Sequence, residues 1–564
     1  MIRSGDAWVL VASLVALVVY GLVRARSTRD LSGFLVAGRS MAWPMVALSV
    51  MATQASAVTF MATPGQGYVG GLSFVQFYFG LPVAMVVLCA TLVPLYQRLR
   101  VRTAYEFLEQ RFDGKTRTLA STLFLIQRGL AAGLTIYAPA LVLSVILGWD
   151  VGLTCALLGA LVVGTIVLGG SKAVASAHAL QFSIIMGTMA LAFVLVLRAL
   201  PHGMGLGDAL TLAGAAGKLH AVDTSFDPAS RYNLWAGLLG GFFLQLSYFG
   251  TDQSQVGRIL TASSSRESKL GLLLNGLVKV PMQFAILLLG VLVFVAYQFE
   301  QAPVFFNHAE VAKAEAGPHA AEWRAAERDW NAARRELALA NVAALAASRA
   351  GDASEAVVAR EQTRAADASA TAARGRALAA LRSTDPNANT NDTNYIFLTY
   401  VLSHLPVGVV GLVLAAIFAA SMNSSMSELN ALASTSVVDV VQRLPWRVGE
   451  AALLGWSRGA TLFWTVFAVA FAQFAGRLGS LVEAVNVMGS LFYGAILGIF
   501  LTAFMVKRAG GTAVFIAALV GEAAVVACWR LTTMSFLWWN LVGCVLTVSV
   551  AALLATVFPR AEPA

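Results

Sequence analysis

The chain has 564 residues, 58% of them hydrophobic and 12% charged. Soluble domains carry about 25% charge, so the composition excludes a soluble globular protein and indicates a polytopic membrane protein. The formal net charge of +9 is not a nucleic-acid signal, because the basic residues sit in short loops between apolar segments, the positive-inside pattern.

At about 20 residues per span, the apolar segments predict thirteen transmembrane helices, at 6–23, 41–70, 72–97, 119–147, 150–169, 175–200, 234–253, 269–298, 406–436, 454–475, 479–505, 511–530 and 533–557. The first has no small-residue cleavage site after it and reads as a retained span rather than a signal peptide. Basic loops, of which 24–39 and 97–117 are the richest, alternate with poor ones. That alternation predicts an outside N-terminus and a cytoplasmic C-terminus in a cell membrane.

The second span holds Pro44, Pro64, Gly65, Gly67, Gly70 and Gly71, with the polar run Thr53-Gln54-Ala55-Ser56. Proline and glycine loosen helical hydrogen bonds, which lipid tolerates only where the freed groups face protein or a wet cavity. An interruption is therefore expected there, and a similar one at Gly237, Gly240 and Gly241 in the seventh span. Interrupted helices five spans apart suggest two inverted halves with a site at midplane.

Ionisable residues deep in a span are costly and mark function by default. Arg128 in the fourth span lies about ten residues from its inner end, near midplane at 1.5 Å per residue. Its planar guanidinium suits a clamp for an anionic substrate; a structural pair with Glu428 or Glu483 is the alternative. Lys279 in the eighth span is equally deep and is expected to be structural. His178 near the inner end of the sixth span is either a hydrogen-bonded structural residue or a proton relay. Asp252 and Gln253 end the seventh span, as a cap or gate contact.

Residues 303–393 are Ala-rich and charged, with Glu and Arg three or four apart, a strong helix composition. Gly351-Asp352 breaks this stretch into a two-helix hairpin on the outer side, dividing the membrane part into 1–302 and 394–564. Trp323, Trp330 and Leu337 lie seven apart, a seam either for a partner or for a self-packed cap.

In the ninth span Asn423, Ser424, Ser427, Asn430 and Ser434 share one helical stripe. Hydroxyl and carbonyl oxygens suit a hard cation such as sodium; helix–helix glue and back-bonding to the helix are the alternatives. Cys89, Cys155, Cys528 and Cys544 lie in apolar segments without pairing or ligand spacing. No nucleophile–base set or phosphate loop supports an enzyme.

Several long motifs then occur in register: GFLVAGRSMAWP, SVMATQASAVTFMATPGQGY, IYAPALVLS, YFGTDQSQVGRILTA and LAAIFAASMNSSMSELNALASTSVVDV. Together they resemble the sodium:solute symporter family. The resemblance implies an all-α fold with a five-plus-five inverted repeat, alternating access, and sodium as coupling ion. It also implies a sodium site of Ala52 and Ala55 in the second span with Ala420, Asn423 and Ser424 in the ninth. The chain departs from the family in having Asn423-Ser424 where two adjacent hydroxyl residues are usual. It departs again at His178, where an acid is common. That second change implies one sodium per cycle and leaves proton coupling through His178 open. Gln54, Ser56 and Thr59 match the substrate face of the second span, Gln76 joins them, and Arg128 resembles an arginine that holds a carboxylate. The implied function is sodium-coupled symport of a small organic solute, a carboxylate in preference to a sugar. A proton-coupled carrier of the same fold and a solute sensor whose hairpin meets a partner are the other readings.

Overall fold

The computed structural model describes residues 3–25, 39–351, 353–443 and 449–560; most of loop 24–39 and Asp352 lie outside them. The helices in order are α1 (Ser4–Ala25), α2 (Trp43–Gln54), α3 (Ala57–Gly70), α4 (Leu81–Ala90), α5 (Leu92–Leu99), α6 (Gly114–Leu147), α7 (Val151–Arg198), α8 (Gly241–Gly250) and α9 (Ser265–Tyr297). They continue with α10 (Ala320–Ala350), α11 (Ala353–Thr384), α12 (Thr393–His404), α13 (Val409–Thr435), α14 (Glu450–Ala475), α15 (Leu481–Met505), α16 (Gly511–Leu531) and α17 (Phe536–Leu554). Among the described residues nine helices are long and apolar enough to cross a membrane, ten if α2 and α3 count as one bent span. Three shorter apolar helices, Ser4–Ala16, Val151–Gly164 and Ala236–Gly250, accompany them.

Local chemistry fixes where helices start. Asp113, Asp150 and Ser264 each sit in extended backbone and accept a hydrogen bond from an amide three residues on, opening α6, α7 and α9. Such caps satisfy N–H groups that a helix start leaves without partners.

The backbone stays helical through the 48 residues of α7, where two spans with a turn between them are expected. No proline removes a backbone donor in GGSKAVASA. A straight helix of that length would run about 72 Å. α7 carries two separate apolar stretches, Val151–Gly164 and Leu180–Arg198.

The second span does break, with a 60° bend between α2 and α3. The break falls at Ala55-Ser56, not at a proline or glycine. Ser56 is extended, at φ −76° and ψ 167°, and Thr59 Oγ1 donates to the Gln54 carbonyl at 3.1 Å. Short polar side chains that bond the backbone compete with the helix. The glycines serve close packing instead. A Cβ on Gly67 would collide with the Leu287 carbonyl, and one on Gly290 of α9 with that of Pro64. They let α3 and α9 touch backbone to backbone.

The seventh span is a correction. Its glycines do not interrupt it; residues Ala236–Gly240 form one wide π turn that runs straight into α8. Gly237 instead leaves room for the carbonyl of Gln76, and the helix ends at Gly250, before Asp252 starts a short helix, Gln253–Ile259.

Basic side chains gather at one pole. Arg111 donates to the carbonyls of Ala503 and Val506 at the end of α15, both at 3.1 Å, a favourable place for a cation. Arg117 pairs with Asp439 at 2.6 Å and Glu109 at 2.7 Å, and Glu109 also holds Arg443. At the opposite pole Asp6 Oδ1 accepts from Gly408 N at 2.6 Å.

That second pole carries the hairpin of α10 and α11, turning at Gly351 with φ +73°. Trp323, Trp330 and Leu337 are buried along one face. Trp330 Nε1 donates to the Ala302 carbonyl at 2.7 Å, so the seam also meets the stub of α9. Beside it His404 Nε2 lies 2.6 Å from Glu300 Oε2, and that hydrogen bond raises the imidazole above its ordinary value. A raised histidine stabilises the fold fully below its unfolded pKa of about 6.5, and the gain is lost as pH climbs through the folded value. The pair is half-exposed, so the effect is small. The melting temperature of wild type should fall from pH 6 to pH 8 by more than that of His404→Gln; equal slopes would refute the link.

Candidate transport site

The break in the second span lies against the middle of α13. Ser424 Oγ donates to the Thr53 carbonyl at 3.0 Å, and Thr53 Oγ1 lies 3.2 Å from Ser427 Oγ. Ala52, Ala55 and Ala420 are fully buried in the same region, as is Asn423. Among the described residues neither polar atom of the Asn423 amide has a hydrogen-bond partner. A buried amide without partners is costly, and an oxygen-binding cation at that junction would supply one. The donor set, hydroxyls, an amide and carbonyls, suits a hard monovalent ion.

His178 is also fully buried here. Its Nδ1 lies 3.0 Å from Ser49 Oγ of α2 and its Nε2 lies 3.5 Å from Ser427 Oγ of α13. The ring thus bridges the two helices.

On the other side of the junction lies a cavity of about 120 Å³, lined among others by Thr53, Gln54, Ser56, Thr59, Ser424 and Lys279. One buried water needs about 10–15 Å³ on this measure, so the space admits on the order of ten water-sized groups. Gln54 is held by Asn275, Nε2 to Oδ1 at 3.0 Å. Tyr78, Tyr248, Tyr493, Gln245 and Asn486 complete much of the wall; the sequence offered no signal for these beyond their type.

Gln76 does not reach this cavity. Its amide donates to the carbonyls of Ser73 and Tyr232, at 3.2 and 2.9 Å, and accepts from Asp223 N at 2.9 Å. It ties an outer loop to the membrane core.

Arg128 lines the cavity, yet its fork is occupied. One arm bonds Asp252, whose Oδ2 also accepts from Tyr493 Oη at 2.8 Å. The same arm reaches Tyr493 Oη at 2.7 Å, and the other reaches Glu428 Oε1 at 3.0 Å. All three partners are buried. The structural pairing foreseen with Glu428 is what the geometry contains, while Glu483 pairs with Arg231 at 2.6 Å on the rim. Asp252 is a partner of Arg128 and a cap, since its Oδ1 accepts from Ser254 N at 2.8 Å.

Lys279 is different. It is buried on α9 with its ammonium 5.4 Å from the Tyr78 ring centre, and no carboxylate of the described residues pairs with it. Its amine faces the cavity without an anionic partner among the described residues.

The sequence profile of the sodium:solute symporter family matches residues 34–321 and 375–521, most of the chain on both sides of the hairpin. The chain belongs to the sodium:solute symporter family. Among curated members of the family it is 30% identical to mouse sodium-coupled monocarboxylate transporter 2 over 314 residues, 54% of this chain and 48% of that one. It is 33% identical to human sodium-coupled monocarboxylate transporter 1 over 43% of this chain and 39% of that one. It is 31% identical to the human sodium/iodide cotransporter over 45% and 39%. The chain thus spans about half or less of the length of these relatives. Among solved structures, the substrate-bound outward-open state of a Na+-coupled sialic acid symporter superposes with a TM-score of 0.76 over 100% of both chains at 19% identity, which shows a shared fold.

Proposed function

We propose that this chain is a secondary transporter that couples sodium entry to uptake of a small carboxylate-bearing solute by alternating access. The observation that carries the reading is one shared junction. The oxygen-rich stretch of α13 closes on the break between α2 and α3, and Thr53, Gln54, Ser56 and Ser424 of that junction also wall the cavity. Sodium held by Asn423, Ser424 and the carbonyls of Ala52, Ala55 and Ala420 draws the two helices together. That favours the state with an ordered solute site, so the affinities of ion and solute rise reciprocally. An inward-negative potential adds about 2.3 kcal/mol per 100 mV for each charge moved.

For the carboxylate, the available cation is Lys279; Arg128 is already paired. Removing one partner of a buried ion pair costs about 2–5 kcal/mol, or at least about 30-fold in affinity. In vesicles, Lys279→Gln should therefore weaken uptake of small carboxylates such as propionate or lactate by at least that factor while leaving sodium binding intact. Unchanged affinity would remove Lys279 from the site. Uptake that ignores a sodium gradient would defeat the sodium coupling itself.

His178 favours a second reading, a proton-driven carrier of the same fold, because an imidazole bridges α2 and α13 beside the ion site. Uptake that follows an imposed pH gradient in sodium-free vesicles would select it. The basic pole, with Arg111, Arg117 and Arg443, is assigned to the cytoplasm by the positive-inside rule. This puts the C-terminal segment inside and Asp6 and the hairpin outside.

A further inference from the structure

Glu522 is an ionisable residue deep in a span and apart from the transport cavity. It is the twelfth of the 21 residues of α16, about 16 Å from the start of the helix at 1.5 Å per residue, and so near the middle of a hydrocarbon core about 30 Å thick. The side chain is half-buried. Its Oε2 is turned inward, where it has no hydrogen-bond partner among the described residues, and no charged group among them acts on the carboxyl. Acids inside spans as a rule face the bundle interior or a wet cavity and pair there. Glu522 instead borders the outward side of its helix. Only 33% of the apolar window of α16 is buried within the chain, and the buried side, with Gly521 and Val525, packs on Thr547 and Gly543 of α17.

Large apolar residues flank it at a fixed spacing. Phe515, Leu519, Glu522, Val526 and Trp529 follow one another at steps of four, three, four and three. Leu519, Val526 and Trp529 are 46%, 42% and 42% exposed, and Phe515 is half-buried. This is the heptad spacing of a seam between two helices, in which one polar position among apolar ones sets the register. Lipid alone covers such a stripe but offers the carboxyl no partner. A protonated carboxyl is donor and acceptor at once, so two of them satisfy each other and leave no charge in lipid. A two-fold axis along the membrane normal keeps equivalent residues of two copies at one depth. We propose that α16 is a self-association face: two copies of the chain pack side by side along Phe515, Leu519, Val526 and Trp529, with their Glu522 carboxyls hydrogen-bonded to each other in the middle of the seam.

The test uses the full chain in lipid vesicles over a range of protein densities. In a Cys528→Ala background, Val526→Cys should cross-link to its copy under oxidation. Val520→Cys, at a residue 41% exposed but on another side of the helix, should not. Subunit counting by photobleaching reads the dimer dissociation constant, which should rise about 5-fold or more for Glu522→Leu, the loss of one hydrogen-bonded polar contact in lipid. Glu522→Gln, whose amide is also donor and acceptor, should keep most of the association. The cross-linking pattern needs no change at Glu522, so it decides the matter even if Glu522→Leu fails to fold. A chain that stays monomeric at every density overturns the proposal and leaves the face to lipid or to another protein. Cross-linking through Val520→Cys but not Val526→Cys overturns it, and so does association as tight in Glu522→Leu as in wild type. The transport reading stands in each of these cases, because none of the seam residues lines the cavity.

Discussion

Arg128→Gln should lower stability by about 3–5 kcal/mol and leave little folded protein, rather than give a folded carrier that has lost its substrate. Removing one partner of a buried charge network strands the others. Here the stranded groups are two carboxylates, Asp252 and Glu428, and the Tyr493 hydroxyl, all buried. Together with Arg128 they come from four parts of the bundle: α6 supplies Arg128, α13 Glu428, α15 Tyr493, and the segment after α8 Asp252. The loss would therefore loosen the packing among all of them. The clamp reading predicts the opposite, a well-folded protein without uptake. Thermal unfolding in detergent separates the two, and a wild-type melting point for Arg128→Gln would restore the clamp. Adding Asp252→Asn should recover part of the loss, because one stranded charge is gone.

Asn423→Ala with Ser424→Ala should raise the sodium concentration for half-maximal uptake by about 10-fold or more. Two oxygen ligands leave, and a hard cation has no compensating donor in an alanine. The variant should still fold. Ser424 gives up one bond to the Thr53 carbonyl, worth about 1 kcal/mol, while the Asn423 amide has no partner among the described residues to lose. Sodium titration of uptake and of thermal stability reads the effect. Unchanged sodium dependence in both would take these residues out of the ion site. The first variant removes a partner of α13 and the second changes α13 itself; one concerns the fold and the other the ion, so they are expected to fail in different assays.

Much of this was legible in the chain itself. The stripe Asn423, Ser424 and Ser427 is polar on one face, and that face does meet the break in the second span. The polar run Thr53 to Ser56 marked the break more truly than the prolines did, because Pro64 sits inside α3 and Ser56 opens it. Gln54, Ser56 and Thr59 do line the cavity. Gln76 misled because spacing does not say which way a side chain turns; its amide is spent on Ser73, Tyr232 and Asp223. The glycines of the seventh span misled for a related reason. A glycine that loosens a helix and one that admits a neighbour's carbonyl look alike in sequence, and Gly237 is the second kind.

By itself, then, the sequence determined a helical membrane protein, its family, the hairpin and the oxygen-bearing face of α13. The family follows from the motifs that resemble it, and the other features from composition and short-range periodicity, which any local stretch of chain carries. Only the tertiary structure decided that Arg128 meets two carboxylates while Lys279 meets none among the described residues. An ion pair is a contact between residues 124 or 300 positions apart, and nothing in the chain near Arg128 or Lys279 records which of two buried cations meets a carboxylate.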